Sequence, residues 1–293
     1  MLDLEGKTAV ISGGAGGIGF NLGMTLGKAG MNIVLADIEE PQLASAESAL
    51  RDAGIEVLAV AMDVALREDW ARTAEVAVQR FGSVHMLVNN AGVGGGIGAL
   101  ETLDEPGWRW AIDVNLMGVV YGANTFIPLL KEHGESAWLI NVASMAGMAG
   151  APLGGAYTAT KAAVVALSES WHDELKNTPV QVSVLAPAFV KTRIHLSHRN
   201  RQARYAPVSA PTPDVLHIAK VTAKAVENGI DVEVVGARVL EALEQGELYI
   251  FTHPNYSVVP QQRSAAIAAA FERAAQSPIL EGISDQEVTR FDR

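Results

Sequence analysis

Tyr157 and Lys161 stand four residues apart in Ala156-Tyr157-Thr158-Ala159-Thr160-Lys161, a spacing that puts both on one face of a helix. A free phenol titrates near pH about 10. An ammonium beside it favours the phenolate and draws that value toward neutrality. A phenol that titrates near working pH can take a proton from an alcohol oxygen or give one back. Ser144 follows the apolar run Trp138-Leu139-Ile140-Asn141-Val142 and carries a hydroxyl that could hold that oxygen. A surface Tyr and Lys on an alanine-rich helix would show the same spacing, so the pair gains meaning only from what positions it.

A scaffold for such a pair is legible upstream. Lys7 to Ser12 reads as a short β-branched strand that runs into Gly13-Gly14-Ala15-Gly16-Gly17-Ile18-Gly19, with a helical pattern from Phe20 to Gly30. Strand, glycine turn and helix start together make a phosphate cradle: glycine lets backbone amides approach a diphosphate, and the helix N-terminus favours negative charge. The spacing through Gly13, Gly17 and Gly19 differs from the G-x-G-x-x-G fingerprint. The second strand, Asn32 to Asp37, ends in an acid 18 residues after Gly19, close to the roughly 20 expected of the carboxylate that binds adenosine ribose hydroxyls. A carboxylate there repels a 2′-phosphate, and no Arg or Lys within Gly13–Gly19 offsets it. The expected cofactor is NAD in preference to NADP. A strand-end acid capping the next helix is the plainer alternative.

The pattern continues with strands at Glu56–Asp63, Val84–Asn90, Ser136–Ser144 and Val180–Pro187. Between them lie a helix ending at Phe81, a long helix from Pro106 to about Lys131, and a helix from Ala156 to Lys176. Asn115 falls in the middle of the long helix, where Asn is a poor former, which suggests a kink with a water site or a functional role. Pro128 is expected to bend its end. Alternating strands and helices argue an α/β fold: a doubly wound, seven-stranded parallel sheet with right-handed crossovers and helices on both faces. Ligands in such sheets bind beyond the carboxyl ends of the strands. Ser12, Asp37, Asp63, Asn89, Ser144 and Pro187 all fall at such ends.

The bulk numbers narrow the function classes. The chain has 293 residues, 49% of them hydrophobic and 19% charged, which supports a large core and excludes disorder. A net charge of −11 argues against a nucleic-acid or anionic-membrane partner. The absence of cysteine leaves no disulfide and no thiolate metal site. No His pair has metal-ligand spacing with a supporting acid, so no metal is expected. The opening Met1-Leu2-Asp3-Leu4-Glu5 has neither a basic region nor an apolar signal core, and a cytoplasmic location is expected.

Taken together, these residues resemble the short-chain dehydrogenase/reductase family, in its compact single-domain branch with a Rossmann fold. The matching motifs are Ser12 through Gly19, Asn89-Asn90-Ala91-Gly92, Asn115, Ser144, Tyr157-x-x-x-Lys161 and Pro187 through Thr192, all within residues 5–192. The resemblance implies a catalytic tetrad. Tyr157 is the general acid/base, Lys161 lowers its pKa and binds the nicotinamide ribose, Ser144 orients the substrate oxygen, and Asn115 holds a water that links Lys161 to solvent. It implies a cofactor site made of Ser12, Gly13, Gly17, Ile18 and Gly19 at the turn and Asp37 with Ile38 at the ribose. Asp63 and Val64 border the adenine, Asn89, Ala91 and Gly92 lie along the cofactor, and Pro187, Val190 and Thr192 serve the carboxamide side with Tyr157 and Lys161. Two residues depart from the family pattern: Ser12 replaces the usual Thr and Ala188 the usual Gly. The resemblance also implies a homodimer or homotetramer.

Beyond Thr192 the chain leaves the compact pattern. Residues 195–230 read as an inserted substrate cap within a single domain spanning 1–293. His195, His198, Arg199, Arg201 and Arg204 could meet an acidic substrate group or form a solvated loop. Helices are expected at 213–229, 231–245 and 261–276, the seventh strand at Gly246–His253, and a loose tail at 277–293. The expected substrate pocket is Gly94, Ile97, Met145, Met148, Ala151, Leu153, Ala188 and Phe189, mostly apolar with flexible Met. It favours a bulky hydrophobic secondary alcohol or ketone, aryl or alicyclic, and the long-tailed pattern is similar to the aryl-alcohol dehydrogenases of the family. A steroid or terpenoid alcohol, a sugar-nucleotide epimerisation and a non-catalytic dinucleotide-binding regulator or scaffold are the alternatives.

Overall fold

The computed structural model describes residues 2–208, 210–283 and 286–288. Its strands are β1 (Thr8–Ser12), β2 (Asn32–Asp37), β3 (Val57–Ala61), β4 (Met86–Asn89), β5 (Ala137–Val142), β6 (Val180–Ala186) and β7 (Tyr249–Phe251). They form one sheet in the order β3-β2-β1-β4-β5-β6-β7, with every neighbouring pair parallel. The order reverses between β1 and β4. A crevice opens at such a switch point, beyond the carboxyl ends of the strands.

The sheet is buried on both faces because its strands are almost continuously apolar. Successive side chains alternate between two cores. Ala9, Ile11, Ile33, Leu35, Met86 and Val88 point to one face. There α1 (Gly17–Lys28), α2 (Glu40–Asp52) and α8 (Val232–Gln245) bring Leu22, Leu26, Leu50, Val235 and Val239. Val10, Val34, Leu87 and Leu139 point to the other. They meet Trp70 of α3 (Arg67–Phe81), Phe126 and Leu130 of α5 (Gly118–Glu132) and Leu175 of α6 (Gly155–Leu175). Trp70 and Phe126 pack edge to face at 6.1 Å. Each such buried side chain contributes about 1.5–3 kcal/mol.

The expected single helix from Pro106 to Lys131 is broken. α4 (Glu105–Ile112), capped by Asp104, which accepts from Gly107 N at 3.0 Å, leads into a π-helical turn at Asp113–Met117, and α5 follows. Pro128 lies inside α5. After β6 the chain forms 3-10 turns at Ile194–Asn200 and Ala203–Tyr205, then α7 (Pro213–Glu227), and only then α8 and β7. The two ends of this excursion are pinned together: Ile230 N donates to Phe189 O at 3.0 Å and Lys191 N to Ile230 O at 2.9 Å. Residues 195–230 thus leave the sheet and return to the same place.

The sequence reads as one domain over 1–293, but the structure gathers the chain into two compact units, 1–252 and 253–293. The first holds the sheet. The second comprises the 3-10 turn Pro254–Ser257, α9 (Val258–Ala275), which buries none of its residues, and the turn Pro278–Leu280. Of the tail expected at 277–293, residues 284, 285 and 289–293 lie outside the described residues.

Candidate active site

The glycine turn after β1 is held in shape by its neighbours. Ser12 Oγ accepts from Asn90 N at 3.0 Å and Ala91 N at 3.2 Å, and Asn90 Nδ2 donates to Ser12 O and Gly13 O at 2.9 and 3.0 Å. These bonds staple the turn to the end of β4 across the switch point. Gly13 has φ +64°, the left-handed region that glycine adopts without strain. A Cβ at Gly19 would lie 2.2 Å from Gly13 O, so only glycine lets the start of α1 sit this close to the turn. At the end of β2, Asp37 Oδ2 accepts from Ala15 N and Oδ1 from Glu39 N, both at 3.0 Å. The carboxylate is fixed beside the turn with acceptor capacity left over. At the end of β3, Asp63 accepts from Ala65 N at 3.0 Å and takes a charged bond from Arg204.

One cavity runs from this cradle to the start of α6. Gly13, Gly17, Ile18, Asp37, Ile38, Asp63, Val64, Ala91, Gly92, Ser144, Tyr157, Lys161, Pro187, Ala188, Val190 and Thr192 all border it. The carboxylate at one end, the close-packed glycines and the hydroxyl–ammonium cluster at the other fit an extended dinucleotide.

Ser144, Tyr157 and Lys161 come together at the far end. The Ser144 hydroxyl donates to Pro187 O at 3.4 Å, accepts from Ala146 N at 3.1 Å and bonds the Tyr157 phenol. Lys161 is 3% exposed; its Nζ donates to Val142 O at 2.7 Å and lies 5.8 Å from the centre of the Tyr157 ring. Burial pulls the Lys161 ammonium down to about 8. It pushes the Tyr157 phenol above its ordinary value, with the Ser144 bond acting in the opposite direction. This corrects the expectation that the phenol is already drawn toward neutrality. In the protein alone the lysine's bond goes to a backbone carbonyl, and desolvation dominates the phenol.

Asn115 is fully buried in the π turn and does not border the cavity. Its Oδ1 accepts from Val93 N at 2.8 Å, and its Nδ2 donates to Val93 O at 2.9 Å and Thr160 Oγ1 at 3.3 Å. A Cβ on Gly92 would stand 3.5 Å from both Asn115 Oδ1 and Lys161 Nζ, so these groups converge on Gly92.

Several expected residues stand elsewhere. Ser12, Gly19 and Asn89 shape the site without bordering the cavity. Asn89 is buried, and its Nδ2 donates to Asn141 Oδ1 at 2.9 Å inside the sheet. The next residue along the strand, Asn90, is the one that faces the cavity. Of the expected substrate pocket only Ala188 borders the cavity; Gly94, Ile97, Met145, Met148, Ala151, Leu153 and Phe189 do not. Met145 is buried with its N–H on Pro187 O, Leu153 O accepts from Gly98 N, and Phe189 is 39% exposed. The apolar wall is instead Val93, Trp110, Val114, Ile194 and Val226. Their spacing carried no signal, because they come from the loop after β4, α4, the π turn and the excursion after β6.

The basic stretch at 195–205 meets the protein's own acids. Arg199 bonds Glu39, Arg204 bonds Asp63, and Arg201 lies 4.0 Å from Asp104 and over the Trp110 ring. Among the described residues no cluster of His, Asp and Glu could hold a metal ion, and no helix is long and apolar enough to cross a membrane.

A family model described as short chain dehydrogenase matches residues 7–203. The chain is 31% identical over 290 residues to the CLA biosynthesis dehydrogenase/reductase of Lactiplantibacillus plantarum, which covers 97% of this chain and 100% of that one. It is 34% identical over 201 residues to 3beta-hydroxysteroid dehydrogenase 2 of Eggerthella lenta, covering 69% of this chain and 77% of that one. Its fold matches the crystal structure of a short chain dehydrogenase/reductase from Burkholderia phymatum in complex with NAD. The TM-score is 0.90 and the identity 36%, over 92% of this chain and 97% of that one.

Proposed function

Because the chain belongs to the short-chain dehydrogenase family, we propose that it is an NAD-dependent oxidoreductase that interconverts a bulky hydrophobic secondary alcohol and its ketone. One observation carries this reading: Ser144, Tyr157 and Lys161 border the same cavity as the glycine turn and Asp37. The dinucleotide and the proton-transfer groups would therefore meet in one space. Gly13, Gly17 and Ile18 would hold the diphosphate, Asp37 the adenosine ribose, Asp63 and Val64 the adenine, and Lys161, Val190 and Thr192 the nicotinamide half. When bound, NAD⁺ supplies the hydride acceptor and a positive ring charge.

The chain's own residues handle the proton and the orientation. Ser144 holds the substrate oxygen next to the Tyr157 hydroxyl. In oxidation the Tyr157 phenolate takes the alcohol proton; in reduction the phenol returns it. Burial disfavours the phenolate, so it depends on Ser144 and on nearby positive charge. Lys161 carries that charge at neutral pH, because it loses its proton only near about 8. Val93, Trp110, Val114, Ile194 and Val226 exclude water and favour apolar bulk around the reacting carbon. The similarity to a protein named as a hydroxysteroid dehydrogenase supports an alicyclic substrate beside an aryl one.

The test is NADH oxidation with a panel of aryl ketones, alicyclic ketones and oxosteroids, in parallel with calorimetric NAD⁺ binding. Turnover of a bulky ketone is expected, and Tyr157→Phe lowers it by about 10²–10⁴-fold while NAD⁺ still binds. NAD⁺ binding without turnover on any bulky ketone would instead favour a dinucleotide-binding regulator.

A further inference from the structure

The proton-transfer reading leaves one carboxylate in the cavity unused. Glu39 follows Asp37 by two residues, borders the same cavity and is 20% exposed. It receives a two-pronged bond from Arg199, whose Nε lies 3.1 Å from Oε2 and whose Nη2 binds Oε1. Asn200 Nδ2 donates to Oε1 at 2.9 Å, and Arg193 Nη2 lies 3.8 Å from the same oxygen. The Arg199 fork, with Asn200 and Arg193 behind it, holds the Glu39 carboxyl below its usual value against the opposing effect of burial. Arg193 also leans on the phosphate cradle, since its Nη2 would stand 3.2 Å from a Cβ on Gly16.

Ile38, Glu39, Arg199, Asn200 and Gln202 border both the main cavity and a second cleft lined by Glu40, Pro41, Gln42 and Arg201. The Glu39–Arg199 pair is therefore the partition beside the Asp37 end of the cavity. A group attached to the ribose held by Asp37 would meet this partition. A 2′-phosphate is such a group, and a guanidinium fork is the side chain best matched to it. Two guanidiniums, Arg193 and Arg199, are in place, yet both face Glu39.

We infer that Glu39 is a specificity-determining residue: by occupying Arg199 and Arg193 it denies them to a 2′-phosphate, and so reinforces the choice of NAD over NADP. The inference rests on the reading of NAD as cofactor. It makes discrimination the joint product of Asp37, which repels the phosphate, and Glu39, which withholds its partners. Arg199 and Arg193 lie after β6, in the same excursion that carries Ile194 and Val226 to the substrate side, so the choice of cofactor and the shape of the pocket share one segment.

The experiment is calorimetric binding of NAD⁺ and of NADP⁺ to the wild type, Glu39→Gln, Arg199→Ala and the double variant, with thermal melting of each as a check on folding. Glu39→Gln is expected to shift the Kd ratio toward NADP⁺ by about tenfold, the effect of one nearby unit charge at a partly screened site. The double variant, in which only Arg193 is released, is expected to lose most of that gain. Arg199→Ala alone, which leaves Glu39 charged and less compensated, is expected to shift the ratio about threefold further toward NAD⁺. An unchanged ratio in Glu39→Gln, or a gain that survives undiminished in the double variant, overturns the inference. Should Glu39→Gln not fold, an unchanged ratio in Arg199→Ala does the same. Failure of the wild type to bind either nucleotide would instead bring down the cofactor reading.

Discussion

Replacing Lys161 with Met separates what the buried ammonium does for chemistry from what it does to stability. The group is 3% exposed, and burial takes it from 10.5 to about 8. At about 1.36 kcal/mol per pKa unit, that fall amounts to roughly 3 kcal/mol against the charged form. Methionine keeps most of the stem's volume and removes the charge. It also strips the Val142 carbonyl of its 2.7 Å donor, a loss of about 1 kcal/mol. The variant should therefore be roughly 2 kcal/mol more stable than the wild type at neutral pH. The pH dependence fixes the cause. Between about 8 and 10.5 the unfolded wild type binds a proton that the folded wild type has released, so wild-type stability rises with pH across that window. The variant lacks this slope. Urea unfolding of both proteins, without added nucleotide, should show the variant's advantage of about 2 kcal/mol at neutral pH turning into a deficit of about 1 kcal/mol as pH passes 10.5, the remaining cost of the lost hydrogen bond. Turnover should be lost throughout. A variant less stable at neutral pH, or a stability difference flat in pH, would refute the desolvation argument.

Three further outcomes are expected. Gly19→Ala places a methyl 2.2 Å from Gly13 O and 2.5 Å from Asn90 Nδ2; it should destabilise by about 1–3 kcal/mol and weaken NAD⁺ binding, read by melting and calorimetry. His85 accepts from Thr8 N at 3.2 Å on Nδ1, and burial, with His133 and Lys7, lowers its pKa from 6.5. The unfolded chain therefore takes up this proton first as pH falls, so stability is full above 6.5 and drops below it. His85→Gln should flatten that part of a melting-temperature profile. Trp110→Ala, at a 2% exposed residue on the apolar wall, should destabilise by about 3–5 kcal/mol and raise KM for bulky ketones more than it lowers kcat.

The parallel sheet was legible because its strands are runs of apolar residues that end in polar ones, and a buried parallel strand can hardly be written otherwise. Asp37 and the glycine turn were legible because their chemistry depends on local spacing. What escaped depended on partners distant in sequence. Asn89 and Asn90 are neighbours, yet strand alternation sends one into the sheet and the other to the cavity. The apolar wall draws on Val93, Trp110 and Val226, which no period connects. The basic stretch looked like a solvated loop or a substrate contact. Its arginines instead meet Glu39 and Asp63, acids more than a hundred residues earlier. Asn115 was marked as odd for a helix, but nothing in the composition of residues 113–117 announced a π turn, since Val, Leu and Met would sit equally well in a regular one.

That turn, Asp113–Met117, closes with Gly118 N on Asp113 O, one residue more than an ordinary helical ring. The segment is therefore overlong by a single amino acid for the distance it spans, and its integrity is a matter of length more than of side-chain identity. Deleting one residue here would let the helix heal into a continuous rod. It would also rotate everything beyond the cut by about 100°, swinging Phe126 and Leu130 off the sheet or tearing Asn115 from Val93. Point substitutions that spare Asn115 should be tolerated where a one-codon deletion is not.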